Sequence, residues 1–143
     1  MIPAEASWPP PGARDLRRWV LDTPAELRTL RASLIEAITG MRVAGGATLS
    51  DIAETMVVIA TELATNALRH GLAPSTVRLS RTDAHFILDV ADHDITTRPV
   101  YDESRPPGTG GLGLPLVRDL SDGLGWYVTA DTKHVWAKIP LLA

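Results

Sequence analysis

The sequence predicts a two-layer α+β sandwich, with helices on one face of a mixed, mostly antiparallel sheet, and three observations predict it. Between positions 24 and 70 apolar residues recur every three or four, the spacing that gives a helix one apolar stripe. From position 76 the repeat changes to two, the period of a strand with one buried face. Near the C-terminus a short helical stretch is followed by a second pair of period-two segments. The order helix, helix, hairpin, loop, helix, hairpin buries its apolar faces most simply by packing helices against one side of a sheet.

The elements follow in order. Residues 1–14, with Pro3, Pro9, Pro10 and Pro11, read as a loose extension, because proline lacks a backbone donor and fixes its own backbone angle. Residues 15–143 read as one domain, the number a chain of 143 residues supports. Arg17 to Leu21 is a short strand. Asp22-Thr23-Pro24 then caps a helix with the stripe Leu27, Leu30, Leu34, Ile38 and Met41, which Gly40 is expected to end near Met41. Ser50 or Asp51 caps a second helix with the stripe Ile52, Met56, Ile59, Leu63 and Ala67, which runs to His70, and Gly71 is expected as a left-handed residue just past its end. Val77 and Leu79 mark a strand, and Phe86, Leu88 and Val90 share one face of the next. Arg98 to Gly110 is a polar loop, Leu112 to Leu120 a short helix with Pro115 in its first turn, and Trp126–Thr129 with Val135–Ile139 a closing hairpin around Asp131-Thr132-Lys133.

Composition narrows the function. A formal net charge of −3 gives no electrostatic reason to expect nucleic acid as a partner. With no cysteine, disulfides, thiolate catalysis and zinc-thiolate sites drop out. No apolar run approaches the roughly 18 residues of a membrane span and no basic-then-apolar N-terminus is present, so the expectation is a soluble, cytoplasmic protein without a membrane partner.

The chemistry-bearing residues fall in three places. Glu62 and Asn66, four apart on the second helix, share a face and can reach one ligand, although a solvated face carrying both is the plainer reading of the pair alone. Asp92 has the parity of Val90, which turns its carboxylate toward the core side of the sheet. A buried carboxylate needs a donor, and the candidates are a buried arginine, a helix end or the amino group of a bound base. Gly108, Gly110, Gly111 and Gly113 cluster before the last helix, where backbone amides and the helix dipole favour an anion. They also satisfy G-x-G-x-x-G, but no strand precedes them, so the dinucleotide-fold reading fails on context. His70 and Arg69 sit in a last helical turn that favours basic residues, and need no ligand to explain them.

Taken together, Glu62-Leu-Ala-Thr-Asn66-Ala-Leu-Arg-His70-Gly71, Asp89-Val-Ala-Asp92-His-Asp94 and Gly110-Gly-Leu-Gly113-Leu-Pro-Leu-Val117 resemble the three boxes of the GHKL ATPase superfamily, over roughly residues 17 to 140. The small size and the ending Thr132-Lys-His-Val-Trp136 look like the stand-alone bacterial anti-sigma-factor serine/threonine kinases. That resemblance implies the Bergerat-type ATP-binding fold, with ATP and Mg²⁺ as cofactors. It implies Glu62 as general base, Asn66 as Mg²⁺ ligand and Asp92 as acceptor of the adenine amino group. Asp94, Gly108, Thr109, Gly110, Gly111, Leu112, Gly113 and Leu114 would complete the nucleotide site, with Asp94 standing where the family usually has glycine. The implied partners are a sigma factor and an anti-sigma antagonist as protein substrate, with a homodimer formed through the N-terminal strand around Trp19 or the first helix. A non-catalytic protein-binding module that keeps the fold is the alternative. A histidine-kinase fragment is a third reading, disfavoured by the lack of an upstream dimerisation helix pair and a membrane segment.

Overall fold

The computed structural model describes residues 6–40, 49–97 and 113–141, apart from the side chains of residues 49, 50 and 113. Strands β1 (Arg14–Leu21), β2 (Ser75–Arg81), β3 (His85–Asp92), β4 (Leu124–Val128) and β5 (Lys133–Pro140) form one sheet in the order β1-β2-β3-β5-β4. Among the described residues every pairing is antiparallel, so the sheet there is antiparallel throughout rather than mixed. Helices α1 (Leu27–Thr39), α2 (Leu49–His70) and α3 (Gly113–Leu120) complete an α+β sandwich.

The apolar stripes account for the layering. Leu30, Leu34 and Ile38 of α1 and Ile52, Met56, Ile59 and Leu63 of α2 join Val77, Leu79, Phe86, Leu88, Val90, Val135, Ala137 and Ile139 in one core, so the helices cover a single face. A short 3₁₀ turn, Pro24–Glu26, precedes α1, and the Glu26 carboxylate accepts from the amides of Asp22 and Thr23 at 2.9 and 3.1 Å, a reciprocal cap. Gly40 closes α1 in right-handed helical conformation.

Three departures from the sequence reading matter. First, part of the proline-rich extension is held down. The Ser7 amide donates to the Trp126 carbonyl at 2.7 Å, Trp136 Nε1 donates to the Ser7 carbonyl at 2.9 Å, and the Trp8 ring stacks on Tyr127. These contacts cover the sheet face opposite the helices, where Ile87, Tyr127 and Trp136 form a second apolar cluster. Second, β1 begins at Arg14, with an irregularity between Asp15 and Arg17. Its Trp19 donates to Ser33 Oγ of α1 at 2.9 Å and packs on the core, which leaves Val20, 54% exposed, as the apolar surface of that edge strand. Third, Lys133 is the first residue of β5 and lies opposite Asp92, where the sequence suggested a turn position.

Candidate functional site

The site lies where α2 ends against the end of β3. Asp92 inherits the parity of Phe86, Leu88 and Val90, and all four are buried. The Gly71 amide continues the helical ladder of α2 by donating to the Ala67 carbonyl at 2.8 Å, and just past it the His93 amide donates to the Leu72 carbonyl at 3.0 Å, which ties the helix end to the end of β3. The Gly71 backbone therefore lies directly against the Asp92 carboxylate. A Cβ at position 71 would overlap Asp92 Cγ and approach Asp92 Oδ2 to 2.5 Å and the Ala67 carbonyl oxygen to 2.6 Å. This close approach, and not a left-handed conformation, is what glycine serves here. Among the described glycines only Gly12 has a positive φ, at 80°.

Asn66, His70, Gly71, Asp92, Thr97 and Lys133 line one cleft, walled by Leu63, Ala67, Val90 and Val135. Asp92 Oδ1 accepts from the Asp94 amide at 2.7 Å, and Lys133 Nζ lies 3.6 Å from Asp92 Oδ2 while donating to the Thr97 carbonyl at 2.9 Å. Thus the described donor to the buried carboxylate is an amide of its own turn, and the lysine supplies a counter-charge rather than a hydrogen bond. Glu62 lies one turn before Asn66 on α2. Burial pushes its carboxyl above the usual range, against a smaller opposing pull from Arg69.

Asp94 fills a local role. Its Oδ1 accepts from the Thr96 amide at 3.1 Å and the Thr96 hydroxyl at 2.7 Å, and these bonds hold its carboxyl below the ordinary aspartate range. The carboxylate thus serves the turn, while the backbone amide serves Asp92. Asp94→Gly keeps that amide, so affinity for Mg-ATP should change by less than about threefold, whereas exchange of the Thr96 amide with solvent should quicken. Because the folded pKa is depressed, the turn's hold is present above the ordinary aspartate pKa and is lost as pH falls through the lowered one. Titration calorimetry and hydrogen exchange check both parts. A large change in affinity would place the Asp94 carboxylate on the nucleotide.

Gly108, Thr109, Gly110, Gly111 and Leu112 lie outside the described residues. Gly113 opens α3, and Leu114 is in the core, 2% exposed, and is not among the residues that line the cleft.

A larger concavity of about 320 Å³ lies on the opposite face beside Arg18, Thr76, Arg78, Asp89 and His134. Size would select it over the cleft at Asp92, of about 20 Å³, but chemistry does not. Asp89, buried beside it, already accepts from the Tyr127 hydroxyl at 2.5 Å, from Arg78 at 3.3 Å and from His134 Nδ1 at 2.7 Å. Burial, reinforced by Asp89, pushes the Tyr127 hydroxyl well above its ordinary pKa, which keeps it a donor. The sequence reading named Asp89 only as part of a box. Its parity, opposite to that of Asp92, was the signal that it faces the other side.

The sheet, the three helices and a buried carboxylate against the end of α2 define a nucleotide-binding α+β sandwich. The family model of the histidine kinase-like ATPase domain matches residues 21–139, and the chain belongs to that family. No curated protein matches it. Membership gives the chain ATP binding as its general function, with ATP-dependent phosphotransfer or hydrolysis as the class of chemistry.

The residues present fit that ligand. Asp92 is a buried acceptor whose Oδ2 has no described partner within hydrogen-bond distance, and Asn66 opens on the same cleft with a neutral oxygen suited to a hydrated Mg²⁺. Among the described residues no three His, Asp or Glu side chains gather into a metal cage. Among the described residues no helix is long and apolar enough to cross a membrane.

Proposed function

We propose that this chain is an ATP-dependent serine/threonine protein kinase of the anti-sigma type, acting in the cytoplasm on an antagonist protein and alternately holding a sigma factor. The observation that carries the reading is the placing of Glu62 and Asn66, one helical turn apart, on the helix whose end meets Asp92. Mg-ATP, when bound, supplies the phosphoryl group. Asp92 would hold the adenine amino group, Asn66 would hold the metal, and the first-turn amides of α3 would face the phosphates. Glu62 orients the acceptor hydroxyl and takes its proton, a role that its raised pKa supports because a less acidic carboxyl is a stronger base.

The non-catalytic binding module is favoured by one observation, the Lys133–Asp92 pair, which neutralises the Asp92 charge without any nucleotide. Calorimetry separates the two. At 100 times its dissociation constant, Mg-ATP should stabilise the folded chain by about 2.7 kcal/mol, through binding to the native state alone. Absence of binding at millimolar ATP would end the kinase reading. Binding without transfer to any serine or threonine of the sigma-factor antagonist would leave the module.

A further inference from the structure

Asp92 and Lys133 are paired directly across β3 and β5. Both have the parity of the helix-facing residues, and they are 4% and 5% exposed. An ammonium has three donors and a carboxylate about four acceptor positions. Among the described residues, Lys133 Nζ gives one hydrogen bond, to the Thr97 carbonyl, and Asp92 receives one, from the Asp94 amide on Oδ1. The 3.6 Å between Nζ and Oδ2 is too long for a charge-assisted hydrogen bond, so the two charges attract each other without satisfying each other. As a structural element alone this is a poor arrangement, because the cost of removing two charges from water is offset only when their remaining hydrogen bonds are made. What the pair does offer, among the described residues, is a donor and an acceptor side by side with bonding capacity left, in the same cleft as Asn66.

We propose that Lys133 is a base-reading residue. It donates to a ring nitrogen of adenine adjacent to the amino group that Asp92 accepts. This rests on the nucleotide reading above and adds a second contact to it. Adenine's amino group is a donor flanked by ring nitrogens, N1 and N7, that only accept, so donor and acceptor lie side by side on the base in the order opposite to the protein's. Asp92 alone fixes one point and leaves the base free to tilt about it. Lys133 adds the second point and so fixes the orientation of the ring.

The test is made on the ligand, so it needs no change in the fold. Titration calorimetry compares ATP with 1-deaza-ATP and 7-deaza-ATP, each of which replaces one ring nitrogen by carbon. The wild-type protein should lose about tenfold or more in affinity for one of them, the loss of a hydrogen bond to a charged donor, and bind the other like ATP. The analogue that loses identifies the nitrogen. If both bind as ATP does, Lys133 is only the counter-ion of Asp92 and the proposal is overturned, with the nucleotide reading intact. If ATP itself does not bind, both readings fall together. Lys133→Gln keeps a donor and should retain the discrimination. Lys133→Met should weaken ATP to the level of the deficient analogue and abolish the difference between them. A folded Lys133→Met protein that still discriminates would show that another residue reads the nitrogen.

Discussion

Gly71→Ala should cost about 1–3 kcal/mol of folding stability, the usual penalty for overpacking a closed site, and should remove nucleotide binding with it. The new methyl has nowhere to go: the Asp92 carboxylate and the Ala67 carbonyl, 2.6 Å away, both occupy its place. The Ala67 oxygen belongs to helix backbone and already accepts from the Gly71 amide, so it cannot retreat without breaking that bond. Asp92 is the softer neighbour and will be displaced, which moves the acceptor proposed to hold the base. Denaturant midpoints should show the lost stability. A Gly71→Ala/Asp92→Ala double variant should recover part of it while remaining unable to bind Mg-ATP, because the side-chain overlap is relieved and the backbone one persists. A single variant as stable and as competent in binding as the wild type would mean that α2 and β3 are not locked together as described.

The layering was legible because it rests on local periodicity. Ile52, Met56, Ile59 and Leu63 recur at helical spacing in the sequence and are all buried on the helix face that meets the sheet. The same holds for Phe86, Leu88 and Val90, whose parity carried Asp92 inward with them. What was not legible depends on contacts between distant residues. Lys133 sits beside polar turn residues in sequence, and only the register of β5 on β3 reveals that it faces Asp92. The donors of Asp89 come from positions 78, 127 and 134, brought together by three different strands. Ser7 and Trp8 belong to a stretch whose prolines forbid regular structure, yet a chain without regular structure can still dock through one amide, one carbonyl and one ring. Gly71 shows a subtler limit. Glycine at a helix end suggests a left-handed turn, and nothing local distinguishes that from a glycine kept because a carboxylate passes close to its Cα.

Glu62→Gln should separate chemistry from binding. Glutamine keeps the size of the side chain and its helix propensity but cannot accept a proton, so the proposed transfer to a hydroxyl of an antagonist protein should fall by roughly 10² or more, the usual contribution of a positioned general base. The affinity for Mg-ATP should stay within about twofold of the wild type, because Asp92 and Asn66 are untouched. The pH dependence gives a second check. Burial raises the pKa of Glu62, so wild-type transfer should decline as pH falls through a value above the ordinary glutamate range, and the variant's residual rate should lack that limb. Stability should move the other way. A carboxyl whose folded pKa is raised binds its proton more tightly in the folded state, so its contribution is greatest below the unfolded pKa and is lost as pH rises through the folded one. Above the raised folded pKa, Glu62 therefore does not stabilise the fold, and there Glu62→Gln should melt no lower than the wild type. A variant that transfers phosphate at the wild-type rate would remove Glu62 from the chemistry. One that melts lower and binds ATP poorly would make Glu62 a structural residue of α2, and the loss of transfer would then say nothing about a base.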